Sequence, residues 1–362
     1  MFAYLIILLV ALITSALIYK DNRKKWLWTS LGAIIISLII GLRNNVGIDW
    51  LHFHQMYNQI VYGANVDVEI GYKFLSLLFG KLLGLGSWAI FTIMAFCFIL
   101  PMYVFGIKYS KIAYILIPIF LFMNLSNSLT VSRQYAAMGL LLTAFKFLTD
   151  NDKKRYVIFS ILAICLHSTA IPYVLLFLVL YRFTFFQHRC LYVYLCLLVI
   201  SIVFFKEIES FFPWIYDHFV IVGNYIGREN YVENEQIWTN QLLVEKSNSA
   251  FSYYMSCLST GLLIFYGDKF LKQHPDKAFY FIYHITVISN IFLPICLSQE
   301  LLKRMLWYLT IFTPIIYAFI YDIYLFRHIK RINIGICLLI INLLYMLYSY
   351  LAQGLSMDYK FI

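Results

Sequence analysis

The sequence predicts an all-α, polytopic integral membrane protein, a single transmembrane domain spanning residues 1–362. Three observations carry that prediction. The chain is 62% hydrophobic and only 13% charged, whereas a soluble domain is about a quarter charged. Apolar runs long enough for a bilayer crossing (about 18 residues or more) recur from end to end. They are too long for barrel strands, so the need to satisfy every backbone group inside a bilayer favours helices. Lysine and arginine gather in the short loops between these runs, the bias that orients a membrane protein.

The first apolar run, 2–19, has no basic residue ahead of it, and Lys20, Arg23, Lys24 and Lys25 follow it. It therefore reads as a span rather than a cleavable signal, with its N-terminal end outside and the basic loop in the cytoplasm. Further spans are expected near 26–42, 87–107, 112–125, 129–148, 156–183, 190–206, 251–267, 278–297, 305–325 and 332–351. Two long loops remain. The first, 43–86, ends in a stretch, Gly71 to Leu85, apolar enough to lie on the membrane surface as a helix. The second, 207–250, holds Glu207, Glu209, Asp217, Glu229, Glu233, Glu235 and Glu245 against only Arg228 and Lys246, which argues for the outer side.

Region 156–183 decides the topology. Taken as one crossing, it would put the acidic loop in the cytoplasm and expose Lys269, Lys272, Lys277, Arg327, Lys330 and Arg331 outside. Taken as a hairpin that enters and leaves on the cytoplasmic side, it reverses all of these. The hairpin is preferred: two short helices meeting near His167 and Pro172. Broken helices in membranes usually line a polar cavity. The architecture is then about ten transmembrane helices plus this hairpin.

Several function classes are disfavoured. The net charge of +10 comes from loop residues that orient the chain, so nucleic acid is not an expected partner. The seven cysteines fall in apolar runs or at their ends without a CxxC pair, which suggests neither a disulfide framework nor a zinc site. No P-loop, nucleotide fingerprint or HExxH is present, which disfavours an ATP-driven pump and a membrane metalloprotease. No cofactor is implied.

The polar residues say more. Arg43 and Asp49 follow the charge-free run Trp26 to Leu42, and charge at that depth usually has a task. On the same expected outer face lie Asp67, Glu69 and Tyr72, then Ser132-Arg133-Gln134, then His167-Ser168-Thr169, and finally Glu300, Lys303 and Arg304. An arginine at an interface can simply snorkel, but three on one face, each beside another polar group, suit a diphosphate. Asp49 is either a salt-bridge partner of Arg43 or a general base, and His167 is either structural or a proton-transfer group. Asp67-Val68-Glu69 has a spacing that can hold a divalent cation, a weak signal from two carboxylates. Trp214, Tyr216, Tyr225, Tyr231 and Trp238 of the second loop could stack on sugars.

These motifs together resemble the EpsG-type, Wzy-like polysaccharide polymerases. The resemblance rests on Leu42-Arg43-x-x-Val46-Gly47-x-Asp49, Glu69-Ile70-Gly71-Tyr72, Arg133-Gln134, His167-Ser168-Thr169-Ala170, and Arg304 with Tyr308, in order from about residue 1 to 325. One departure stands out: where the family commonly has a tyrosine four residues after the aspartate, this chain has Phe53, although Tyr57 could supply a hydroxyl.

The resemblance implies a metal-independent, GT-C-like glycosyltransferase in a bacterial cytoplasmic (inner) membrane, its active site facing the exterior. It would polymerise oligosaccharide repeat units carried on undecaprenyl diphosphate into O-antigen, capsule or exopolysaccharide. A flippase and a chain-length regulator of the same pathway are the implied partners. Arg43, Arg133 and Arg304 would bind the diphosphate, Asp49 or His167 would take the acceptor proton, and Gly47, Glu69, Tyr72, Gln134 and Tyr308 would support them. Two alternatives stay open. One is a glycosyltransferase that uses a polyprenyl-phosphate sugar and a metal at Asp67 and Glu69; the other is a transporter of lipid-linked glycan.

Overall fold

The computed structural model describes residues 2–21, 23–182, 190–204, 249–273, 276–296, 300–327, 333–356 and 359–361. The described chain is almost wholly helical and divides into two compact units, Met1–Arg182 with Tyr317–Ile362, and Phe183–Ile316. The second long loop, with its aromatic residues, lies outside the described residues except at its last two positions.

In the first unit the helices are α1 (Phe2–Lys20), α2 (Lys25–Gly41), α3 (Trp50–Val61), α4 (Ile70–Ser76), α5 (Trp88–Lys108), α6 (Ala113–Thr130), α7 (Ser132–Thr149), α8 (Lys153–Leu166) and α9 (Ile171–Leu180). A π-helical turn, Leu77–Leu82, prolongs α4. Helix α2 packs on α1 and α5, α7 on α5 and α8, and α1 on α6. Helix α6 is the most enclosed, with 72% of its apolar window buried against 39% for α1, so α6 is core and α1 rim. α6 and α7 are separated by one residue, Val131, whose non-helical φ of −103° and ψ of 58° turn the chain.

The 156–183 stretch reverses direction. Asp152 starts α8 by accepting the Arg155 amide at 3.0 Å, the capping that Asp favours. His167 ends it in extended backbone (φ −157°, ψ 115°). A 3-10 turn, Ser168–Ala170, follows, and Pro172 sits in the first turn of α9, where its missing N–H costs nothing. The Tyr156 hydroxyl donates to the Val174 carbonyl at 2.5 Å. Phe145, near the end of α7, meets Phe177 and Tyr181 near the end of α9. The two helices therefore fold back on one another, with His167 at the tip.

The second unit contains α10 (Leu191–Val203), α11 (Ser249–Gln273), α12 (Lys277–Phe292), α13 (Glu300–Thr310) and the start of α14 (Thr313–Tyr321). Helices α11 and α12 pack together and α10 lies against both. Two polar pairs join elements of this unit: the Tyr194 hydroxyl with His284 Nδ1 at 2.5 Å, and Asn290 Nδ2 donating to Thr313 Oγ1 at 2.9 Å. The chain then returns to the first unit through a π-helical turn, Asp322–Arg327, and α15 (Ile334–Ser356). The strands among the described residues are β1 (Arg43–Asn44) and β2 (Lys360–Phe361), antiparallel, with Arg43 opposite Phe361.

By length and composition, four described helical stretches can cross a membrane: Phe2–Lys20, Trp88–Lys108, Ser110–Thr130 and Ile334–Leu355. A bent pair, Leu302–Thr310 with Thr313–Phe326, makes a fifth if counted as one span. This is an all-α membrane protein, but fewer full-length spans are present among the described residues than the ten expected. Among the described residues helix α2 has 17 residues and α10 has 13, short of the ~20 that span a bilayer core. The 156–183 stretch is split at His167.

Candidate functional site

Three segments of the first unit meet at Glu69. This residue sits at the N-terminal cap position of α4, Arg133 in the first turn of α7, and His167 at the hairpin tip. One Glu69 oxygen accepts from Arg133 Nη1, and the other lies 2.9 Å from His167 Nδ1. All three side chains are largely buried, between 10 and 12% exposed. The Arg133 guanidinium lies 4.9 Å from the Phe53 ring centroid and 5.4 Å from that of Tyr72, contacts that hold a cation by its faces. Arg133 Nε is buried and has no hydrogen-bond partner among the described residues.

The Glu-x-Gly-aromatic motif is legible in this geometry. Glu69 makes the ion pair. A Cβ on Gly71 would sit 2.5 Å from the Cys165 carbonyl oxygen, so only glycine lets α4 rest against the end of α8. Tyr72 covers Arg133, and its hydroxyl donates to the Phe53 carbonyl at 2.9 Å. Phe53, where the resemblance implied a tyrosine, takes part through its ring and backbone. Tyr57 donates to the Leu85 carbonyl at 2.6 Å, tying the loop rather than facing the cluster.

The charge states follow from the partners. Burial alone would raise the Glu69 carboxyl, but the His167 hydrogen bond and the Arg133 charge bring it down to about 2. Glu69 is therefore an acceptor only, and His167 Nδ1 must donate to it. In the neutral ring the lone pair then falls on Nε2. A carboxylate that fixes a histidine tautomer and orients a guanidinium can serve proton transfer and anion binding together.

The other sequence candidates are placed as follows. Arg43 is fully buried, its guanidinium donating to the carbonyls of Val46 (3.1 Å), Ile40 (2.9 Å) and Leu129 (3.1 Å). Burial lowers it to about 10, so it keeps its charge at neutral pH. Its fork faces protein carbonyls, and the side chain also lines a small cavity with Ser128, Ser132 and Tyr135. Gly47 has φ +94°, a left-handed conformation glycine adopts freely, and a Cβ there would lie 2.3 Å from the Leu129 oxygen. Asp49 precedes α3 and is half-buried. Gln134 is buried in α7, beside Arg133 in sequence. Asp67 is exposed while Glu69 is committed to Arg133 and His167, and no group of three or more metal-ligating side chains occurs among the described residues. Arg304 and Tyr308 lie in α13 of the second unit, Tyr308 buried.

Sequence reasoning gave Glu69 a supporting place, and the structure makes it the hub. The Asp67-Val68-Glu69 spacing drew attention to metal; the Gly71 and Tyr72 that follow were the better signal, because they mark a helix start pressed against another element.

Fold and site together define a helical membrane protein with a carboxylate–arginine–histidine cluster held between the short helix α4, the start of α7 and a hairpin tip. The chain belongs to the EpsG family, whose model matches residues 25–361. That membership makes it a polysaccharide-related membrane protein. No curated protein and no solved structure matches it.

Proposed function

We propose that this protein is a membrane glycosyltransferase that polymerises undecaprenyl-diphosphate-linked oligosaccharide repeat units at the outer face of the cytoplasmic membrane. The observation that carries the reading is the bridging of Arg133 and His167 by one carboxylate, Glu69. Family membership supplies the polysaccharide context.

In the proposed reaction a hydroxyl of the incoming lipid-linked unit attacks the anomeric carbon of the growing chain. A new glycosidic C–O bond forms, and the bond to the lipid diphosphate breaks with its electron pair on the leaving oxygen. His167 Nε2 takes the hydroxyl proton, and Glu69 stabilises the resulting imidazolium. We assign the base to His167 over Asp49 because its other nitrogen is already held by a carboxylate, which fixes the tautomer. Arg133 offsets the negative charge that develops on the leaving diphosphate. The parts assigned to Asp49, Gln134, Arg304 and Tyr308 rest on the sequence motifs alone.

The test is a strain lacking the gene, complemented with His167→Gln or the wild type, its surface glycan resolved on a gel. The wild type restores a ladder, and the variant, inserted at equal level, leaves single repeat units. A normal ladder from His167→Gln overturns the assignment. An unchanged ladder in the deletion strain overturns the polymerase reading.

A further inference from the structure

The hydrogen bonds of Arg43 all run to backbone carbonyls, and their places in the fold are informative. Ile40 lies in the last turn of α2 and Leu129 in the last turn of α6. The final four carbonyls of a helix have no amide partner within it, and together they carry about half a negative charge. A single buried guanidinium therefore closes two helix C-termini at once, taking Ile40 O and Leu129 O on its two terminal nitrogens. Its Nε takes Val46 O, and the Phe91 ring covers one face at 4.7 Å. The Trp50 indole donates back to the Arg43 carbonyl at 3.1 Å.

Leu129 O is also the atom that a side chain at residue 47 would strike. Arginine and glycine of the Leu42–Asp49 motif thus converge on one carbonyl. That carbonyl lies two residues before Val131, the single-residue turn that launches α7, and Arg133 is the second residue of α7.

We propose that Arg43 is a positioning residue, which sets Arg133 through the Leu129 carbonyl and the α6–α7 turn and does not itself grip the lipid diphosphate. This rests on the assignment of Arg133 as a diphosphate ligand. Lysine cannot reproduce the role, because a compact ammonium lacks the planar fork that reaches three carbonyls.

The experiment is a double-mutant cycle on the purified full-length protein, reading the affinity for undecaprenyl diphosphate in detergent micelles. Arg43→Lys is expected to weaken binding roughly 10-fold, and Arg133→Lys by at least as much. The double variant should bind like Arg133→Lys alone, because coupled residues are not additive. Gly47→Ala keeps the guanidinium but displaces the same carbonyl, and it should couple to Arg133→Lys in the same way. It also keeps the test open if Arg43→Lys fails to fold. Additive losses mean that Arg43 touches the ligand itself and overturn the proposal. Unchanged affinity with only a lower Tm means a purely structural role, and overturns it too. Wild-type protein that does not bind undecaprenyl diphosphate overturns the diphosphate reading and this extension together.

Discussion

His167 Nδ1 stands 2.9 Å from a Glu69 oxygen across 98 residues of sequence, and the same carboxylate holds Arg133. Glu69 is ionised down to about pH 2, so its folded state binds fewer protons than its unfolded state between that point and the ordinary carboxyl value of 4.5. A depressed carboxyl contributes stability above its unfolded pKa and loses it as pH falls through the folded one. The contribution is up to about 3 kcal/mol. Thermal unfolding in detergent should show the wild type losing stability from about pH 5 down towards pH 2, with Glu69→Gln less stable at pH 7 and flatter across that window. Parallel curves for the two proteins would remove the ion-pair account.

Arg133 is held by its edge and by its faces. Replacing it with lysine keeps the charge but loses the fork and much of the stacking. Polymer formation should fall by about 10²-fold or more, the scale of removing one charge-stabilising donor from a transition state. The Tm should change much less. Repeat-unit incorporation in reconstituted membranes reads the first quantity and a melting curve the second. Near-normal turnover by Arg133→Lys would show that a point charge suffices.

Gly71→Ala puts a methyl group 2.5 Å from the Cys165 carbonyl oxygen. Neither backbone can yield without moving α4 along α8. The cost is about 1–3 kcal/mol, and activity should fall further than stability because Glu69 lies two residues away. An assay at a temperature well below the variant's Tm separates the two effects. Full activity there would mean that the α4 position does not set the cluster.

Tyr156→Phe removes the hydroxyl that ties α8 to Val174 in α9. One buried hydrogen bond is worth about 1 kcal/mol, with a further penalty for the carbonyl left unpaired. Cysteine pairs placed at 156 and 174 should cross-link if the hairpin is closed. Failure to cross-link, with both cysteines reactive, would argue for a straight crossing instead.

The helical membrane character was fully legible from hydropathy, and the reversal at His167 from Pro172 and the polar run beside it. The site was legible in part. Glu69, Tyr72, Arg133 and His167 could each be singled out as polar groups beside apolar runs. Their pairing could not, because hydrogen bonds that join residues 64 or 98 positions apart leave no periodicity. Arg43 shows the limit most clearly. Its sequence context records a charge in an apolar setting, the signature of a ligand-binding arginine and equally of a brace. What separates them is the Leu129 carbonyl 86 residues away. The number of crossings was not legible in the same way, because apolar composition does not report helix length: among the described residues α2 runs for 17 residues.

The short ribbon between Arg43–Asn44 and Lys360–Phe361 sets an order of assembly. Tyr359 donates its hydroxyl to the Ile39 carbonyl at 2.8 Å, across 320 residues, capping the same end of α2 that Arg43 closes. Tyr350 likewise reaches the Tyr4 carbonyl, across 346. Contacts so distant in sequence form late. A nascent chain can insert α1, α2 and α6 and still lack the strand that completes the Arg43 loop until α15 has entered the bilayer. Chains made only as far as α15 therefore carry the edge of that loop open.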